Sequence, residues 1–101
     1  MMSAYLTQDR PAAEQLLASD LRFTSPQDDH IDRATYFERC FPTTARLRRQ
    51  DVLKVVDAGD DQVYLLYEYE LQDGSRYRNT ELLTVRHGLI HDIQVFFGGA
   101  V

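Results

Sequence analysis

The chain has 101 residues, enough for one domain that buries roughly two thirds of its unfolded surface, and its 44% hydrophobic content fits a globular protein rather than a disordered one. Its net charge of −5 argues against a nucleic-acid partner, because phosphate neutralisation needs clustered Lys and Arg. Its single cysteine, Cys40, excludes an internal disulfide.

The first stretch, Met1 to Arg10, lacks a basic segment followed by an apolar run, so no secretory signal is read there. No apolar segment approaches the ~20 residues that span a bilayer. The expectation is a soluble, cytoplasmic protein with no membrane partner, forming a single domain over residues 1–101.

Helices come first. Ala12, Ala13, Leu16, Leu17 and Leu21 recur at helical spacing behind Pro11, a favoured first-turn residue. Leu21 to Ser25 then alternates as a short strand that Pro26 ends. Gln27 to His30 reads as a polar loop. Asp32 can cap a second helix, whose apolar stripe is Tyr36, Phe37, Cys40 and Phe41 and whose end is Pro42.

Strands follow. They are expected over Val52 to Asp57, Val63 to Leu71, Arg76 to Val85 and Ile90 to Phe97. The turns between them are Ala58-Gly59-Asp60-Asp61, Asp73-Gly74-Ser75 and Arg86-His87-Gly88, all plausible hairpin connections. Helices followed by an antiparallel meander define an α+β domain. The short basic cluster Arg46, Arg48, Arg49 precedes the first of these strands and is a weak candidate for a phosphate site.

Alternation sorts the strand residues by face. Val63, Leu65, Tyr67 and Tyr69 share one side, continued by Tyr77, Asn79, Glu81, Leu83 and Val85 and then by Ile93, Val95 and Phe97. This side should be concave and packed on the helices. The opposite side carries Tyr64, Leu66, Leu82 and Phe96 among Thr, Gln and Glu, which suggests a sheet-to-sheet homodimer.

A phenol, an amide and a carboxyl at Tyr77, Asn79 and Glu81 therefore share the core-facing side with aliphatic residues. Such groups are costly to bury alone, so they form either a buried network or the polar part of a pocket. Glu81 is the leading candidate. Burial would raise its pKa, and it would then donate to a substrate oxygen when neutral or act as a base when ionised. Its structural alternative is pairing with an arginine such as Arg22, or with Asn79 and a tyrosine hydroxyl. His30 has a pKa suited to moving a proton and could fold over the pocket, with Asp32 orienting it. Its alternative is an exposed loop histidine. Tyr67, Tyr69 and Tyr77 either line the cavity or are core aromatics, and Tyr36 is a weaker member of that group. Cys40 reads as an inert thiol. Asp28, Asp29, His30 and Asp32 lack metal-ligand spacing, His87 sits at a turn tip near His91, and no phosphate loop or redox fingerprint is present, so no metal or cofactor is expected.

Two stretches carry a resemblance. The first is Leu21-Arg22-Phe23-Thr24-Ser25-Pro26, a loop, and Ala34-Thr35-Tyr36-Phe37-Glu38-Arg39. The second runs through Tyr67-Glu68-Tyr69, Asp73-Gly74, Arg76 to Val85, and Val95-Phe96-Phe97-Gly98. Together they resemble the SnoaL-like polyketide cyclases, the ketosteroid isomerases and nuclear transport factor 2. That resemblance implies a cone-shaped NTF2-like (cystatin-like) fold, with N-terminal helices packed on a curved antiparallel sheet. It also implies a pocket in the cone, lined here by Phe23, Ser25, His30, Tyr67, Tyr69, Tyr77, Asn79, Glu81 and Phe97. Ketosteroid isomerases place a general-base Asp where the first strand meets a Pro. Ser25 stands there and cannot be that base. Glu81 falls where the family keeps a neutral acid that donates to an oxyanion, ketosteroid isomerase being the standard case of such an acid. The family's tyrosine on the first helix has only Tyr5 as a distant counterpart.

Two functions follow from the resemblance and the faces. One is a domain binding a small, partly apolar molecule, with cofactor-independent acid-base chemistry (isomerisation, cyclisation, dehydration or hydrolysis) in which His30 moves the proton and Glu81 with Asn79 stabilises charge. The other is a non-catalytic binding or dimerisation module.

Overall fold

A computed structural model describes residues 10–101, apart from the side chains of residues 43–45. A short helix, α1 (Arg10–Leu16), leads directly into β1 (Leu17–Ser25). The apolar spacing predicts helix as far as Leu21, but the strand claims the chain at Leu17, which pairs with Ile90 of the last strand. Ser19 and Asp20 favour turns and caps over helix interiors, so this handover costs little. A register shift between Leu17 and Arg22 lets Leu17 and Ala18 both turn inward, with Leu21 and Phe23 alternating behind them.

The segment predicted as a polar loop is a strand. β2 (Asp28–Asp32) folds back antiparallel on β1 through a tight turn, setting Phe23 beside Ile31 and Ser25 beside Asp28. It is an edge strand, and its four charged or polar residues around Ile31 suit an edge that must not recruit another chain. Their polarity is what made it look like a loop.

Asp32 caps the helical run that follows. Its Oδ1 accepts from the Thr35 N–H at 2.9 Å while its own backbone stays extended. The run begins as α2 (Arg33–Thr35), widens to a π turn (Tyr36–Cys40) and tightens to a 3-10 segment (Phe41–Arg46). Pro42 does not end it, as the sequence suggested. The winding changes just before the proline: Phe41 N–H reaches back to Tyr36 O, and the 3-10 segment starts at Phe41 and carries Pro42, which has no N–H to return to the preceding turn, as its second residue. Tyr36, Phe37 and Phe41 are buried, with ring centroids 5.5–6.5 Å apart, and Phe23 meets Tyr36 at 5.0 Å.

Four long strands complete the fold: β3 (Leu47–Gly59), β4 (Gln62–Leu71), β5 (Arg76–Arg86) and β6 (Leu89–Ala100). β3 starts five residues before its predicted start, so the basic cluster lies at its beginning. Arg48 and Arg49 there pair with Glu70 and Asp51. The hairpin turns fall where predicted, with left-handed backbone at Gly59, Gly74, and His87-Gly88. The sheet order is β2-β1-β6-β5-β4-β3, antiparallel throughout except for the parallel pair β1 and β6. Register shifts in β1, β3 and β5 bend the sheet. Gly98 permits one of these bends: a Cβ there would stand 2.4 Å from the Arg78 carbonyl oxygen.

The helices pack on the predicted inner face. Leu83, Ile93 and Val95 join Ala13, Leu21, Phe23 and the helical aromatics in one core, and Tyr67 and Asn79 are also buried. Tyr64 and Phe96, on the other face, are exposed. The domain is α+β, with helices on one face of a curved sheet.

Candidate functional site

β4, β5 and β6 bring their inner-face polar residues into register. Tyr67 lies beside Asn79, which lies beside Phe97; Leu65 lies beside Glu81, which lies beside Val95. Tyr67 Oη donates to Glu81 Oε1 at 3.0 Å, and Asn79 Nδ2 donates to Tyr67 Oη at 3.4 Å. The chain of donors ends on the carboxyl. Arg22, an alternative partner for Glu81, instead donates to the Leu21 carbonyl. Glu81 is therefore held by the Tyr67 phenol, which the Asn79 amide holds in turn, and among the described residues no arginine or lysine pairs with it.

Desolvation raises the Glu81 pKa to about 7, and the hydrogen bond from Tyr67 pulls against that rise. The Tyr67 hydroxyl is itself pushed well above the ordinary phenol range, by burial first and by the neighbouring Glu81 second. The proton on Tyr67 stays where it is at any physiological pH, and the labile proton of the network belongs to Glu81.

These groups open onto a cavity of about 360 Å³. That volume lies within the range of small-molecule pockets. Phe23, Ser25, Tyr67, Tyr69, Asn79, Glu81 and Phe97, each singled out from the sequence, all line it. Tyr77 does not. It stacks on the cavity residue Tyr69, with ring centroids 5.5 Å apart.

His30 is the clear departure. Its side chain is 71% exposed, its backbone has φ of 49°, and its Nδ1 meets the Asp29 carboxylate instead of the cavity. The hairpin explains this. His30 N–H is tied to Thr24 Oγ1 across β1 and β2, so the segment cannot fold over the pocket as a free loop would. Asp32 is committed to capping and does not orient the imidazole. Tyr5 lies outside the described residues.

The same hairpin delivers a residue that sequence reading missed. Asp28 lines the cavity, its Oδ1 3.0 Å from Arg39 Nη2. Its Oδ2 accepts from Cys40 Sγ at 3.6 Å. Burial, then the charge of Asp28, push the Cys40 thiol up to about 12, so it is no nucleophile. Arg46 and Gln50 also line the cavity. The change of helical winding around Pro42 and the early start of β3 put them there, and neither was signalled by periodicity. Among the described residues no group of three or more His, Cys, Asp or Glu is arranged to hold a metal.

No protein-family model matches this sequence, and no curated protein matches it. Solved structures do match its shape. A protein from Kribbella flavida superposes with a TM-score of 0.82 at 24% identity, over 95% of this chain and 78% of that one. An NTF2-like protein of unknown function from Cytophaga hutchinsonii gives 0.74 at 22%, over 94% and 80%. A candidate polyketide cyclase from Sinorhizobium meliloti gives 0.79 at 16%, over 92% and 86%. At these identities the likeness establishes the fold alone, and that fold is NTF2-like.

Proposed function

We propose that this NTF2-like fold binds a small, partly apolar molecule in its cone, with Glu81, Tyr67 and Asn79 as the polar end of the site. One observation carries the reading: a carboxyl with its pKa raised to about 7 is hydrogen-bonded to a buried phenol on the wall of a 360 Å³ cavity. A purely structural carboxylate would be better satisfied by a cation, and among the described residues none pairs with this one. Near neutrality Glu81 populates both protonation states. It donates to a ligand oxygen in one and accepts a proton in the other.

Where the ligand is a substrate, the chemistry is cofactor-independent proton transfer, such as isomerisation, cyclisation, dehydration or hydrolysis. Asn79 and Tyr67 fix the acid, and Asp28 on the opposite strand pair offers a second carboxylate in the same cavity. The polyketide-cyclase description of the Sinorhizobium meliloti neighbour favours ring-bearing carbonyl compounds as the first ones to try.

A second reading, a non-catalytic binding or dimerisation module, draws on two observations. Ser25 stands at the strand end where a base would be, and Tyr64 and Phe96 expose large apolar side chains on the outer face. A thermal-shift screen against small carbonyl, phenolic, steroid-like and polyketide-like compounds separates the two. A concentration-dependent rise in Tm that Glu81→Gln weakens supports the pocket. No shift with any compound, for a well-folded sample, leaves the outer face as the functional surface.

A further inference from the structure

The described arginines are almost all satisfied, as a chain of net charge −5 would allow. Arg10, Arg39, Arg48, Arg49, Arg76, Arg78 and Arg86 each pair with a carboxylate. Arg22 and Arg33 donate to backbone carbonyls, and Arg33 also lies over the Phe37 ring. Arg46 is different. Its guanidinium has no carboxylate, carbonyl or ring partner among the described residues, and it lines the cavity. Its exposure places it at the rim of a cavity whose wall also holds the buried Tyr67 and Asn79.

A second lining residue is also incomplete. The Oε1 of Gln50 is buried and has no hydrogen-bond partner. A carboxamide offers an acceptor at one end and two donors at the other, and rotation about its last bond exchanges them. Buried polar atoms are almost always paired, so an orphaned one in a cavity wall points to a group that enters the cavity.

Charge settles which group. Of the ionisable acids and bases in the wall, Asp28 and Arg39 neutralise each other at 3.0 Å. Glu81 is uncharged when protonated, and Arg46 is left over. The cavity then carries one uncompensated positive charge beside a free amide. Phe97, Val95 and Leu71 supply an apolar stretch of the same wall.

We propose that the cone binds a small organic monocarboxylate, with its carboxylate at the rim on Arg46 and Gln50 and its apolar body against Phe97, Val95 and Leu71. This rests on the pocket reading above and names its ligand class. Guanidinium and carboxylate match as two parallel N–H···O bonds, which gives orientation as well as affinity. A single free cation fits a monoanion better than a phosphate ester.

The test uses a matched pair, 3-phenylpropionate and 3-phenylpropanamide, titrated calorimetrically into the wild-type protein, Arg46→Ala and Arg48→Ala. The acid is expected to bind at least about tenfold more tightly than the amide, the scale of one charge-assisted hydrogen bond. Arg46→Ala should abolish that preference, and Arg48→Ala, which removes a paired arginine that does not line the cavity, should keep it. Arg46→Gln serves if Arg46→Ala does not fold. Equal affinity for acid and amide, or a preference that survives loss of Arg46, overturns the inference. If neither probe binds but a neutral compound from the wider screen does, the carboxylate assignment falls and the pocket stands. If nothing binds, both fall.

Discussion

Glu81 links the sequence, the fold and the chemistry through one proton. Unfolded, it ionises near its ordinary value of 4.5; folded, near 7. Between those values the native state holds a proton that the unfolded chain has released. Stability from this group is therefore full below about pH 4.5 and falls as pH rises through 7, by up to about 3 kcal/mol at ~1.4 kcal/mol per unit. Glu81→Gln keeps an acceptor for the Tyr67 hydroxyl and has nothing to ionise. Its urea-unfolding free energy should match the wild type most closely near pH 4 and exceed it at pH 8. Parallel pH profiles would show that Glu81 is not desolvated. Tyr67→Phe removes the hydrogen bond that lowers the Glu81 pKa, so the midpoint should move further up, which a side-chain carboxyl titration by NMR reads directly. Glu81 and Asn79 were legible in the sequence because strand alternation is a local rule with a period of two. Asp28, Arg46 and Gln50 were not, because their placement depends on a hairpin and on a change of winding that no single-element period encodes.

At the scale of elements, two short-range devices hold the site in shape. Asp32 caps the helical run that carries Arg39 and Cys40. Asp32→Ala should lower the unfolding free energy measured at pH 7, where Asp32 is ionised, because the Thr35 N–H loses its side-chain acceptor. Gly98 lets β6 pass close to β5 beside the cavity residue Phe97. In Gly98→Ala the new methyl would press on a backbone carbonyl that cannot swing away. The expected loss is on the order of 1–3 kcal/mol, with amide exchange rising at Arg78 and Phe97 before the rest of the sheet. An unchanged melt would mean that the two strands separate there at little cost. The four long strands and their turns were readable from the alternating runs and the Gly-containing connections. The β1–β2 hairpin was hidden by its charged edge, and the parallel pairing of β1 with β6 is a contact across 70 residues that local pattern cannot show.

For the whole molecule, curvature divides the sheet into a face that encloses a cavity and a face that is open. On the open face Tyr64 pairs across strands with Val56 and Leu82, and Leu66 pairs with Thr80, itself beside Phe96. Val56, Tyr64 and Phe96 are 42–51% exposed. This band was visible in the sequence as the apolar residues left over once the inner face was assigned. We expect it to pair two copies back to back, so the chain should sediment as a dimer and Phe96→Glu as a monomer. A wild-type monomer at high concentration would leave the band without that role. The acid in the cavity wall decides whether the cone is a site or only a packed core. The measurement that tests this most directly is the ¹³C NMR titration of the Glu81 carboxyl, alone and with saturating 3-phenylpropionate. The expected midpoint is near 7 in the free protein and different when ligand fills the cavity. A midpoint near 4.5 that ligand leaves unmoved would contradict it.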